Sequence, residues 1–213
     1  MQWNCNMRVV LFLMIVCSFV ACKKEEVFLV QSNVSVVDEV VDHSPVYIFF
    51  EMQNNDTIAV VNRKNTISTT NWLFNIDKRL PLRLVIPEIS NLQEKREKAV
   101  FHKNDKAQNY FTYNDTLTKN LAFFPFTKVK FFLNQPEGYS IILLDKHTKI
   151  TMDNNELDSF ESLITLLKSK EIKERQNYQL QIDKNATLSQ LLEVMIAFKT
   201  VGLEDMYNKV YIY

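Results

Sequence analysis

From Tyr139 to Tyr213 the spacing of apolar residues switches repeatedly between a period of two and a period near 3.6, and few folds satisfy such a string of short elements. Tyr139 to Leu144 is an apolar run, Asp145 to Thr148 is polar, and Lys149 to Asp153 places Ile150 and Met152 on one face, which predicts a hairpin. Asp158 stands three residues before Glu161 as an acidic version of the capping box, and Phe160, Leu163, Ile164 and Leu167 follow at helical spacing. Tyr178, Leu180 and Ile182 alternate with Gln179 and Gln181 as a strand with one buried face. Thr187 and Gln190 open a second helix, with apolar residues at Leu188, Leu191, Leu192, Met195 and Phe198. Gly202 fits the left-handed position that ends a helix, and Leu203 closes the apolar contact there. Lys209 to Tyr213 is a last strand, with Val210 and Ile212 facing one way and Tyr211 and Tyr213 the other. The predicted order is β-β-α-β-α-β.

At the other end, Arg8 precedes an apolar run from Val9 to Val20 that is broken only by Cys17 and Ser18, and Ala21 stands directly before Cys22. This is the layout of a secretory signal with a lipoprotein cleavage site over residues 1–21, which makes Cys22 the expected acylated N-terminus. Cys17 follows the bulky Val16 and suits such a cut less well. About 13 apolar residues rise roughly 20 Å as a helix, short of a hydrocarbon core of about 30 Å, so an uncleaved membrane span is disfavoured. The expected localisation is the cell envelope, with the chain anchored by lipid on the periplasmic side or at the cell surface of a Gram-negative bacterium. Lys23-Lys24-Glu25-Glu26 is similar to the lysine-plus-acidic signal that sends some lipoproteins to the cell surface, and reads also as a solvated tether. The valine-rich, acidic stretch from Val27 to Ser44 reads as a spacer with room for one short element, giving a tether over 22–45.

Composition removes several functions. Cleavage after Ala21 leaves Cys22 as the sole cysteine, because the others are Cys5 and Cys17; neither a disulfide nor a thiol nucleophile remains. The whole chain has 25 basic and 25 acidic residues, and loss of Arg8 leaves 24 against 25, a balance that does not steer toward nucleic acid. Gly138 and Gly202 are the only glycines, so no phosphate-cradling glycine loop exists. His43, His102 and His147 lack metal-ligand spacing. Asp153-Asn154-Asn155-Glu156 lacks the glycine and register of a calcium loop, and reads as turn and capping residues. No catalytic residue, cofactor or metal is expected.

The C-terminal third resembles the periplasmic domain of the ExbD/TolR family. The matching stretches are Leu180-Gln181-Ile182-Asp183-Lys184-Asn185, Leu192-Glu193-Val194-Met195, Val201-Gly202-Leu203 and Lys209-Val210, within residues 139 to 213. The family's members carry a transmembrane helix with a membrane-embedded aspartate that takes part in proton-driven coupling. No acidic residue lies between Val9 and Ala21, so the resemblance implies the fold and a binding role without the motor.

Residues 46 to 133 read as a degenerate copy. Val46 to Glu51 and Thr57 to Asn62 are strands, and Thr127 to Phe132 parallels Asn208 to Tyr213. Asn109 to Leu121 echoes Asn177 to Leu192. Between 63 and 108, Leu82 to Ile86 is a candidate third strand and Gln93 to Lys106 an insertion. The expected fold is therefore α+β, with two tandem β-β-α-β-α-β domains over 46–133 and 136–213; the alternative is one composite domain with chance likeness between β-rich segments. Phe123, Phe124, Phe126, Phe131 and Phe132 form a dense aromatic group, mostly core and strand with part available for docking.

Two classes of function follow. The first is a non-enzymatic envelope lipoprotein, a membrane protein by its lipid (a palmitate-type acyl group), which binds a protein partner or peptidoglycan and is an accessory to an envelope transport or energy-transducing system; a homodimer is compatible with it. The second is a small-ligand binding protein or an enzyme. Under the first, the expected docking edge is the final strand, with Tyr211 and Tyr213 as its contact residues; the alternative is that these tyrosines pack on a neighbouring helix or on the other copy.

Overall fold

The computed structural model describes residues 26–64, 66–98, 104–137 and 140–213; the signal segment, Cys22 and His102 lie outside them. In chain order the strands are β1 (Gln31–Ser32), β2 (His43–Gln53), β3 (Asp56–Asn62), β4 (Asn71–Ile76), β5 (Asn109–Asp115), β6 (Leu121–Pro125), β7 (Lys130–Phe132), β8 (Ser140–Leu144), β9 (Ile150–Met152), β10 (Asn155–Leu157), β11 (Tyr178–Ile182) and β12 (Lys209–Ile212). Helix α1 (Leu82–Glu97) joins β4 to β5. Helices α2 (Phe160–Ser169) and α3 (Ile172–Arg175) precede β11, and α4 (Leu188–Thr200) with a 3-10 turn at Glu204–Tyr207 leads to β12. The fold is α+β, built on two mixed sheets.

Both sheets follow one strand plan. In the first, β2 and β3 form an antiparallel hairpin, β4 lies parallel to β2, and β5 lies parallel to β4. In the second, β8 and β9 form the hairpin, β11 lies parallel to β8, and β12 lies parallel to β11. The β2–β3 turn is made by Asn54 and Asn55 at φ 50° and 69°, and the β9–β10 turn by Asp153 and Asn154 at φ 52° and 64°. Asparagine and aspartate tolerate this left-handed pair, whose twist matches the strands on either side. Asp153 to Glu156 is thus a tight turn running into a third strand, β10, which alternation alone did not reveal.

Several elements depart from expectation. Leu82 to Ile86 is not a strand: Leu82, Val85, Ile86, Ile89, Leu92, Gln93 and Arg96 are buried at helical spacing along α1, so the period near 3.6 wins over the short apolar run. Asn109 to Leu121 is not a strand followed by a helix, because β5 turns back into β6 at Asp115 to Asn120. Helix α2 is capped by Ser159, whose hydroxyl accepts from the Ser162 N–H at 3.2 Å, and not by Asp158. Helix α4 ends as anticipated: Gly202 has φ 76°, the Leu203 N–H reaches the Phe198 carbonyl at 2.8 Å, and the Gly202 N–H reaches that of Lys199 at 3.2 Å. This is the two-bond C-terminal motif that glycine permits.

The stretch 27–44 is no free spacer. Val30 is 2% exposed, β1 pairs with the end of β5, and Val37 bridges Phe123. The Tyr113 hydroxyl accepts from the Val36 N–H and donates to the Val34 carbonyl, both at 3.0 Å. Valines spaced along an acidic stretch look like a spacer locally, and only the uncovered end of β5 reveals what they fill. The expected boundary between 133 and 136 does not separate the sheets either. β7, from the upstream segment, pairs in parallel with β12, Lys209 opposite Lys130 and Tyr211 opposite Phe132. A single apolar core runs from Val30 to Ile212 through both sheets. Phe111 stacks on Phe126 with ring centroids 3.8 Å apart, and Phe124 meets Tyr207 at 5.7 Å, so much of the aromatic group is core.

Candidate functional site

The feature that joins the halves is a pair of loops of equal construction. Asn71-Trp72-Leu73-Phe74-Asn75-Ile76-Asp77-Lys78 ends β4, and Asn177-Tyr178-Gln179-Leu180-Gln181-Ile182-Asp183-Lys184 ends β11; each is followed by a leucine, Leu82 or Leu188, that begins a helix. The hydrogen bonds match one for one. The Asp77 N–H donates to the Ile48 carbonyl at 3.0 Å, and the Asp183 N–H to that of Leu144 at 2.9 Å. Leu80 N–H returns to Asp77 carbonyl at 3.1 Å, and Ala186 N–H to Asp183 carbonyl at 2.9 Å. Each aspartate accepts, on Oδ1, the N–H two residues on: Arg79 at 3.0 Å and Asn185 at 2.7 Å. Each lysine N–H finds an outside carbonyl at 2.8 Å, Phe28 for Lys78 and Tyr213 for Lys184. The loops also bind one another, through Leu82 N–H to Ala186 carbonyl and Arg83 N–H to Lys184 carbonyl, both 2.8 Å.

In the first loop the aspartate is fully buried. Arg79 clamps Asp77 with two bonds, Nε to Oδ1 at 2.8 Å and Nη2 to Oδ2 at 2.7 Å, and the Phe28 N–H adds one at 3.3 Å. Burial alone would raise the Asp77 pKa, but the bonds from the Arg79 side chain and from the N–H groups of Arg79 and Phe28 outweigh it, holding the carboxyl below its ordinary value. The guanidinium lies between two rings, 4.7 Å from Phe28 and 4.3 Å from Phe50. The clamp ties the start of the described chain to the seam. Arg96, a buried cation, sits 4.4 Å above Trp72 and donates to Asn109 Oδ1 and to the carbonyls of Ser68, Thr70 and Gln108. Both cations are engaged within the chain.

The structure places the expected docking residues elsewhere than on an edge. β12 is interior, with β11 on one side and β7 on the other. Tyr211 is 8% exposed and stacks on Phe132 with centroids 4.9 Å apart. Tyr213 is half-buried, burial pushes its pKa up, and its carbonyl is taken by Lys184. Tyr211 is a packing residue, because a strand from far upstream covers the edge that the order of elements had left open. The expected lipidation residue, Cys22, lies outside the described residues.

A groove of about 450 Å³ runs between β1 and α4, with Val30, Leu192 and Ile196 among its apolar walls and Ser32, Ser189 and Glu193 among its polar ones. His43 and His147 are exposed, and His43 bonds the Val40 carbonyl through Nδ1 at 2.8 Å. Among the described residues no group of three or more histidine, cysteine, aspartate or glutamate side chains is arranged to hold a metal, and no helix is long and apolar enough to cross a membrane. The paired loops escaped sequence reading, although the shared pattern of asparagine, aromatic, two alternating pairs, aspartate and lysine was there to find. No family model, no curated protein and no solved structure matches the chain.

Proposed function

We propose that the chain is a non-enzymatic lipoprotein of the cell envelope, held to a membrane by an acyl group on Cys22, that presents ExbD/TolR-like modules to a protein partner or to peptidoglycan as an accessory of an envelope transport or energy-transducing system. The observation that carries this reading is the run hairpin, α2, β11, α4, β12, which follows the element order of the resemblance apart from the added β10 and α3, together with the strand plan shared by both sheets. The first module departs from that order by having no helix between β3 and β4 and by lending β7 to its neighbour. The engagement of Asp77 and Arg96 inside the chain favours a binding role over catalysis.

The groove between β1 and α4 favours a second reading, a carrier of a small, partly apolar molecule bearing hydroxyl or amine groups that suit Glu193 and the serines. Three measurements separate the readings. Mass analysis of the purified protein should find an acylated Cys22, and its absence overturns the anchor. Cross-linking of the lipidated protein in intact cells, and co-sedimentation with purified peptidoglycan, should yield one dominant partner. An endogenous small molecule released on denaturation, with neither partner captured, would establish the carrier instead.

A further inference from the structure

The face formed by the paired loops has a charge that the chain as a whole does not. The 25 basic and 25 acidic residues balance, yet Lys78, Arg83, Lys146 and Lys184 gather here, all exposed and none in an ion pair among the described residues. Hydrogen bonds fix their closeness. Arg83 N–H meets the Lys184 carbonyl at 2.8 Å, and the Gln190 side chain bridges the Thr187 N–H and the Lys146 carbonyl, 2.8 Å each. Three carboxylates lie in the same loops. Asp77 is consumed by Arg79, while Asp145 and Asp183 face inward enough to accept backbone N–H groups, from His147 at 2.7 Å and from Asn185 at 2.7 Å. Lys78, Arg83, Lys146 and Lys184 are exposed, whereas Asp77 is buried and Asp145 and Asp183 are half-buried.

The chain enters the fold at this same face. Phe28 is fastened to Asp77, Lys78 and Arg79. Five residues separate it from Cys22, a leash whose six Cα steps extend to about 20 Å. An acyl group on Cys22 therefore holds the paired loops within that distance of the bilayer, and the placement rests on the acylation proposed above.

We infer that the paired-loop face is a membrane-facing surface that rests on anionic lipid headgroups, with Lys78, Arg83, Lys146 and Lys184 pairing with their phosphate oxygens. Two lines agree on the occupant: the charge complements an anionic surface, and the short leash points this end at one. The molecule then stands with its loops on the membrane and the opposite strand ends, near Gln176 and Asn208, facing away.

The test uses the chain from residue 22 onward with Cys22→Ser, which retains every described residue and removes the lipid, so it is independent of whether Cys22 is acylated in cells. This chain should float with phosphatidylcholine vesicles containing phosphatidylglycerol and not with phosphatidylcholine alone. Binding should weaken steadily as salt rises from about 0.01 M to 0.15 M, where the screening length shrinks from about 30 to 8 Å. Each of Lys78→Glu, Arg83→Glu and Lys184→Glu should lower partitioning by more than about fivefold, the factor that roughly 1 kcal/mol per basic group implies for loss of the positive charge alone. Lys128→Glu and Lys168→Glu, outside the paired loops, should leave it unchanged. Lys78→Gln and Lys184→Gln give the smaller loss without reversing charge, should a reversal disturb folding. Equal flotation with neutral vesicles, no flotation at all, or equal losses from the Lys128 and Lys168 variants would overturn the assignment. Mass analysis of Cys22 decides the anchor separately.

Discussion

Pro81 and Thr187 form an isolated antiparallel bridge, and they are equivalent residues: each is the N-cap of the helix that follows its loop, α1 and α4. The bridge is antiparallel, so the two loops run in opposite directions where they meet, and the hydrogen bonds of Leu82 and Arg83 to the second loop lie beside it.

Because β7 and the first loop both come from upstream of residue 134, a chain of residues 136–213 alone should not fold cooperatively. It would expose the β7 side of β12 and lose the packing of Phe124 on Tyr207. Collapsed amide dispersion and a broad melt are the expected results. A sharp melt would show that the second sheet is self-sufficient.

Replacing Tyr211 by alanine should cost about 3 kcal/mol, the usual range for a buried aromatic, since the ring is 8% exposed and stacked on Phe132. Urea denaturation reads this directly. A loss below about 0.5 kcal/mol would return Tyr211 to the class of ordinary surface residues.

Gly202→Ala should cost about 1 kcal/mol, and Gly202→Asn less. A methyl group there would meet nothing within 4 Å, so the penalty comes only from holding an L residue at φ 76°. Denaturant melts of the two variants against the parent check the order.

Tyr113→Phe should loosen the segment 33–37 and cost about 1–2 kcal/mol, because the Val36 N–H and the Val34 carbonyl both lose their partner. Limited proteolysis should cut this segment before the rest of the fold. Cleavage at wild-type rate would show that β1 holds it unaided.

Asp77→Asn should destabilise by about 2 kcal/mol at neutral pH, since the Arg79 clamp loses its charge partner. The folded Asp77 pKa lies below its ordinary value of 3.8, so its contribution is present above about pH 4 and is lost as pH falls through the folded value. The gap between wild type and variant, followed by thermal melts from pH 7 downward, should close below about pH 4. A gap that persists there would mean that shape, not charge, sets the effect.

Much of the C-terminal half was legible in its residues. The β8–β9 hairpin, β11, α4, the left-handed Gly202 and β12 lie where periodicity and capping residues put them, and α2 where its periodicity did, with its cap one residue on at Ser159, because each signal is contained within one element. α1 was legible in principle, and a short apolar run at its start obscured the helical spacing. What only the tertiary structure decided is which edges meet. That Phe132 covers Tyr211, that Tyr113 latches residues 34–36, and that the loop after β4 binds the loop after β11 are pairings between distant segments. Backbone donors and acceptors are alike in every residue, so an open strand edge accepts whichever strand the rest of the packing brings to it. The Tyr211 and Tyr213 side chains carry the same chemistry on a free edge as in a core, and the arrival of β7 made Tyr211 core.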